Sequence, residues 1–344
     1  MSNQPTRTPV TPSVLVVGEC LVDLAPATAL GAQTETGLHG RPFVALPGGG
    51  PANIAVGLAR LGAHSAFAGR FSQTGFGPWL RAHLEANGVD LRPSVQASEP
   101  ATLAIVTLDD QGKAAYAFYG PDTADWQWRQ DELPPPGLVN SGGLGYDAVH
   151  TGSLATAFEP GAEIIAAWLE QLRQGGGVVV SFDPNVRAGL VSDLAAYRQT
   201  VEALVASAHL VKASSDDLEV LYPGMPVEEV AARWLATGAL VVVITLGADG
   251  AAAFLPGGAR VSASPPPVDV VDTIGAGDSF SAAMLDFLGR RGELSPSALA
   301  ALSTATLEAA VRQAVTASAI TCTRAGANPP TAAELASYAT SAAG

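Results

Sequence analysis

The sequence predicts an α/β protein: a doubly wound, mostly parallel sheet with helices on both faces and a small β-sheet lid. Short β-branched runs recur without polar alternation, as strands covered on both faces would show. Helix-like segments separate most of them, and several end in Gly, as a left-handed C-cap requires. Two regions, about 20–47 and 95–120, read as extended chain with no helix between, which suits strands standing off the main sheet.

In order along the chain, residues 1–13 are polar and Pro-rich and read as a disordered leader without a signal-peptide core. VLVVG (14–18) predicts the first strand. The first lid segment follows at 20–47, then helices over 52–62 and 76–88. The second lid segment, 95–120, includes LAIVTL (103–108), another unalternating run, and YAFYG, which alternates as a strand does. Strands are expected at 148–152, 178–183, 209–213 and 240–247, with helices at 161–176, 192–208 and 228–238. From Asp278 the chain reads mostly helical. The stretches ELPPPG and SASPPPVDV connect elements without dividing domains. One domain over 14–330 is expected, with a helical tail at 331–344.

Apolar residues make up 48% of the 344 and charged ones 15%, enough for a large core. The net charge of −14 repels nucleic acid and anionic membranes, which are bound through clustered basic residues. No such cluster exists, and the lysines are Lys113 and Lys212 alone. Cys20 and Cys322 sit in apolar segments at no metal-binding spacing and read as buried thiols, and the five His show no ligand spacing. No apolar window is long enough to span a membrane, so a soluble cytoplasmic protein is expected.

The chain has no GxxxxGK[ST] loop, GxSxG elbow or HExxH pair, and GGGVVV (175–180) puts its glycines before a strand, the wrong order for dinucleotide binding. It does have DTIGAGDSF, Asp272 to Phe280, ahead of an apolar helical run. Gly275, Ala276 and Gly277 leave backbone amides open where a helix begins, a site fit for a phosphoryl group. Asp278 then reads either as a plain N-cap or as a base beside that group. The run Pro47-Gly48-Gly49-Gly50-Pro51-Ala52-Asn53 opens another helix; Asn53 offers donors and acceptors suited to sugar hydroxyls, or the run is only a capping turn. GECLVD puts Asp23 after the first strand, either at a ligand-binding strand end or in a solvated turn.

Together these residues resemble the PfkB-type, ribokinase-like carbohydrate kinases, from about Val14 to Pro330. GGGPANIAVGLARLG resembles the family's N-terminal signature and DTIGAGDSFSAAML its C-terminal one, some 220 residues later. GECLVDL, HTGSLA, TADWQW, SFDPNVR and CTRAGANPP look most like bacterial fructokinases. The resemblance implies an ATP- and Mg²⁺-dependent kinase acting on a primary hydroxyl, with fructose as acceptor and 2-keto-3-deoxygluconate or ribose as alternatives. A homodimer joined through the lid is implied too. Asp278 would be the base, and the amides of Gly275, Ala276 and Gly277 the anion hole. Asp23, Gly49, Gly50 and Asn53 would grip the sugar. Arg187 would lie near the phosphate or substrate, or pair with a carboxylate.

Thr245 and Gly247 would border the nucleotide, and the helical stretch ending ITCTRAGA the adenine. Asp272 matches a position that in relatives helps hold a monovalent cation such as K⁺. Relatives carry Asn-x-x-Glu near the magnesium; here Ser214 and Asp217 take those places, and the shorter Asp217 would reach the ion through a water. A keto-acid would call for a second arginine in FYGPDTADW, which has none. The reading from another class is a non-catalytic sugar- or nucleotide-binding relative, which would be expected to lose the base or the anion hole.

Overall fold

The computed structural model describes residues 10–26, 42–108, 114–120, 122–191 and 193–341. The leader to position 9, positions 27–41 and 109–113 of the lid segments, and the last three of the tail lie outside the described residues.

The chain begins β1 (Ser13–Val17), β2 (Leu21–Pro26), β3 (Phe43–Gly48), α1 (Gly50–Arg60), β4 (His64–Ala68), β5 (Arg70–Ser72) and α2 (Gly77–Ala86). It continues through β6 (Val95–Ala97), β7 (Leu103–Leu108), β8 (Ala114–Tyr119), α3 (Pro136–Asn140), β9 (Ala148–Gly152), α4 (Gly161–Gly175) and β10 (Val179–Asp183). Next come α5 (Leu194–Ser207), β11 (Leu210–Ser214), α6 (Ser215–Leu221), α7 (Val227–Ala236), β12 (Val241–Thr245), β13 (Ala251–Phe254) and β14 (Arg260–Ala263). The end is helical: α8 (Ala276–Arg290), α9 (Pro296–Ala300), α10 (Thr304–Cys322) and α11 (Ala332–Ser341).

Eight strands form the main sheet in the order β14-β13-β12-β11-β10-β9-β1-β4, parallel from β12 to β4 and antiparallel at the β13–β14 edge. Strand periodicity divides its core. Val14 and Val16 face one side with α1, α8 and α10, while Leu15 and Val17 face the other with α4, α5 and α7. Both sides being apolar explains the unalternating runs. Pro12 O accepts the His64 N–H at 2.8 Å, so the end of the expected leader is tied to β4.

A four-stranded lid, β3-β2-β7-β8, stands off this sheet. Its outer pairs are antiparallel, but the central β2–β7 pair is parallel, because both strands leave the body in the same direction. LAIVTL therefore belongs to the lid and not to the main sheet. Val95–Ala97, expected in the lid, instead pairs with β5 in a two-stranded ribbon. The strands β4, β13 and β14 carry weaker sequence signals, being short and rich in Ala and Ser.

Helices α1 and α8 meet along a seam of small residues. A Cβ on Gly57 would stand 2.8 Å from the Ala282 Cβ, closer than packed carbons approach. No helix among the described residues is long and apolar enough to cross a membrane.

Candidate active site

Parallel strands bring their C-terminal ends to one rim, where open α/β sheets bind ligands. Here Glu19, Ser153, Asn185 and Leu246 follow β1, β9, β10 and β12, and Ser214 ends β11, around a cavity of about 990 Å³. The lid supplies Leu21, Asp23 and Phe118 to the same cavity.

Asp278 lies in the first turn of α8, on the cavity wall. The N-cap is Gly275 at φ 75°, so Asp278 is not the cap, and the helix begins two residues earlier than expected. A side chain at Gly275 would meet Ala327 at 2.7 Å, so the turn admits only glycine. The Ala276 N–H closes that turn onto Thr273 O at 3.2 Å. The amides of Gly277 and Asp278 remain at the helix mouth without intrahelical acceptors.

Asn53 Nδ2 donates to Asp278 Oδ2 at 2.8 Å, joining the two glycine signatures in one contact. Burial raises the Asp278 carboxyl to about 6, against the lowering influence of Asn53, Lys212 and Arg187. Asp23 is also pushed to about 6, by burial first, with Arg187 opposing. Asp23 sits on lid strand β2 opposite Leu46, not at the end of β1. A Cβ on Gly48 would fall onto Asp23 Oδ2, so a side chain there would push the carboxyl aside.

Gly49 (φ 105°) and Gly50 line the same wall. Arg187 lines the cavity but donates to Asn185 Oδ1 at 2.6 Å and to the Asn185 and Val186 carbonyls, not to a carboxylate. Ser153 (φ 58°) and Asn185 (φ 39°) hold left-handed backbones, a strain that clusters at functional sites.

Lys212, buried, pairs with Asp183 at 2.8 Å and would touch a Cβ on Gly277 at 2.9 Å. A fixed positive charge thus stands behind the open helix mouth. Sequence reasoning passed over Lys212, Asp183, Glu19, Ser153 and Asn185. A lysine inside the apolar strand HLVKA was the available signal, because a lysine is rarely buried unpaired.

On the other side lie Ser214, Asp217, Thr245 and Gly247. Ser214 and Asp217 form a capping box, and the Asp217 oxygens accept amides from Ser214 and Val186 at 2.8 and 2.7 Å. Asp272 accepts from Ile274 and Gly326 at 3.1 and 2.8 Å, tying two loops together. Among the described residues no group of three His, Cys, Asp or Glu could hold a metal by itself.

The description "pfkB family carbohydrate kinase" matches residues 11–334. A fructokinase of Rhizobium leguminosarum bv. trifolii is 34% identical over 274 residues, 79% of this chain and 78% of its own. The fructokinase of Xylella fastidiosa, solved with bound ATP, superposes with a TM-score of 0.85 at 25% identity, covering 97% of this chain and 100% of its own. That of Vibrio cholerae O395 has been solved with fructose, ADP and calcium, and as a double mutant with fructose, ADP and potassium. In the first form it superposes with a TM-score of 0.76 at 28% identity, covering 96% of this chain and 98% of its own. With both signatures meeting at Asn53 and Asp278 and the family spanning nearly the whole chain, this protein belongs to the pfkB family of carbohydrate kinases.

Proposed function

We propose that the protein is an ATP-dependent fructokinase that makes fructose 6-phosphate. The observation that carries the reading is Asp278, buried at the helix mouth within hydrogen-bonding distance of Asn53 and facing Asp23 across the cavity. Asp23, Gly49, Gly50 and Asn53 would hold the sugar hydroxyls, with Arg187 at the rim. Asp278 would take the proton of the primary hydroxyl as its oxygen bonds the γ-phosphorus and the bond to ADP breaks. The amides of Gly277 and Asp278, with Gly275 and Ala276 shaping the turn and Lys212 behind them, suit the charge on the transferred group.

Ser214, Thr245 and Gly247 would border the nucleotide. Mg²⁺ would neutralise the phosphates, and the donor set fits an ion held mainly by them. Asp217, whose oxygens already accept amides, would reach the ion only through water. Asp272, at the position that in relatives helps hold a monovalent cation, would support K⁺ beside the Gly275 turn.

Exposed Phe43, Val44 and Tyr119 on the two edge strands of the lid favour a homodimer formed there. Free thiols at Cys20 and Cys322 fit a reducing cytoplasm.

The test is ADP release with ATP and Mg²⁺ across fructose, ribose, 2-keto-3-deoxygluconate, glucose, tagatose and adenosine. Saturable turnover on fructose alone supports the reading. Turnover on the keto-acid instead would overturn the sugar assignment and make Arg187 a carboxylate reader. Sedimentation of the wild type against Tyr119→Lys tests the dimer.

A further inference from the structure

Three chain crossings join the lid to the body near one buried carboxyl, that of Asp125, in the 3₁₀ turn Ala124–Trp126. Its Oδ1 accepts the Cys20 N–H at 2.9 Å, one residue before β2. Its Oδ2 lies 2.6 Å from Thr102 Oγ1, one residue before β7. Thr102 Oγ1 lies 2.5 Å from Thr123 Oγ1, which lies 2.7 Å from the Gly120 carbonyl, just past β8. Thr102 O also accepts the Val22 N–H at 3.0 Å, inside β2. Beside the turn, Trp126 packs with Leu21 and Ala104 of the lid and with Leu154 of the cavity wall.

Burial raises the Asp125 carboxyl to about 6, while the Thr102 hydroxyl and the Cys20 N–H act to lower it. Above that value the carboxylate accepts from both at once, so one side chain holds the start of β2 and the start of β7. Thr102 Oγ1 and Thr123 Oγ1 carry the contact on to the Gly120 carbonyl at the end of β8.

We propose that Asp125 latches the roots of β2, β7 and β8 and so positions Asp23 over the cavity. It is a positioning residue, acting through β2 on the sugar, and the proposal rests on the sugar-kinase reading. Asp23 lies three residues beyond Cys20, so a root freed at Cys20 shifts the Asp23 carboxylate while the nucleotide side stays in place.

The test compares Asp125→Asn with Asp125→Ala. The amide of Asn keeps both contacts, accepting from Cys20 and donating to Thr102, so Asp125→Asn stays within about threefold of wild type in every constant. Asp125→Ala raises the fructose KM about tenfold or more with the ATP KM within about twofold. Equal impairment of the two variants, an unchanged fructose KM in Asp125→Ala, or equal rises in both KM values would overturn the latch.

If Asp125→Ala does not fold, Thr102→Val carries the test: it breaks one arm and keeps the Val22 contact, and an unchanged sugar KM there overturns the proposal. Hydrogen exchange without sugar separates this claim from the function itself. The Cys20 amide loses protection in the Ala variant while Val14–Val17 keep theirs. That result stands whichever sugar is phosphorylated, and unaltered protection at Cys20 refutes the latch.

Discussion

Lys212 Nζ lies 2.8 Å from Asp183 Oδ2 with both side chains buried, and the same ammonium backs the Gly277 turn. Burial opposes the charge on Lys212, but Asp183 and Asp217 hold its pKa above the usual lysine value. Removing one partner leaves an uncompensated buried charge, so Lys212→Met loses about 3–5 kcal/mol of stability by denaturant titration. The double variant Lys212→Met with Asp183→Asn regains much of that stability but not turnover. Recovery of both would mean that the lysine serves folding alone.

Asp278→Ala lowers kcat by about 10²–10⁴-fold, the range for loss of a positioned base. ATP affinity, measured by calorimetry, stays close to wild type. A non-catalytic binding protein would show no turnover to lose.

Acid should silence the enzyme before it unfolds it. Asp278 must be ionised to accept a proton, and burial has raised it from 3.8 to about 6. Turnover therefore falls as pH drops through about 6, and the Asp23 carboxyl, also near 6, titrates in the same window. Stability runs the other way for these two groups. A raised carboxyl favours the fold most when protonated, a contribution fully present below about 3.8 and lost as pH rises through about 6. A pH–rate profile on fructose checks the first statement, and thermal melts of Asp278→Asn against wild type from pH 4 to 8, a range about these values, check the second.

Neighbouring glycines should part company on substitution. Gly49→Ala forces a side chain onto φ 105° and against Glu19 O at 2.5 Å, destabilising the fold by about 1–3 kcal/mol. Gly50→Ala meets Asn185 Nδ2 at 3.0 Å and Asp278 Oδ1 at 3.4 Å, where the sugar would lie. It raises the fructose KM about tenfold or more with a smaller change in melting temperature. The reverse pattern would displace the sugar from this wall.

The lid should close over bound sugar, because phosphoryl transfer needs water kept out. Small-angle scattering with fructose and a non-hydrolysable ATP analogue should show a smaller radius of gyration than without. Equal radii would rule closure out.

Much of the fold was legible because buried parallel strands write themselves as unbroken Val and Leu runs. The edge strands were not, since HSAFA and RVSA owe their pairing to neighbours far along the chain. Of the site, Asp278, Asn53 and Asp23 could be read from glycine motifs, where local backbone demands leave a local trace. Lys212, Asp183, Glu19 and Asn185 could not, since their meaning lies in distances between strand ends that only the assembled sheet sets. The N-cap alternative for Asp278 failed for a related reason: Gly275, three residues before the expected start, already turns the chain.

Asn53 and Gly57 are one turn apart on α1, and Asp278 and Ala282 one turn apart on α8. Asn53 meets Asp278 through a hydrogen bond, and Gly57 sits so near Ala282 that an added Cβ would strike it, so the helices run side by side in the same direction. The seam works as a gauge block, setting the gap between the Asn53 amide and the Asp278 carboxyl by the thickness of two backbones. A single methyl at Gly57 would wedge the block open and detune the chemistry one turn away, in a variant whose cavity lining is unaltered.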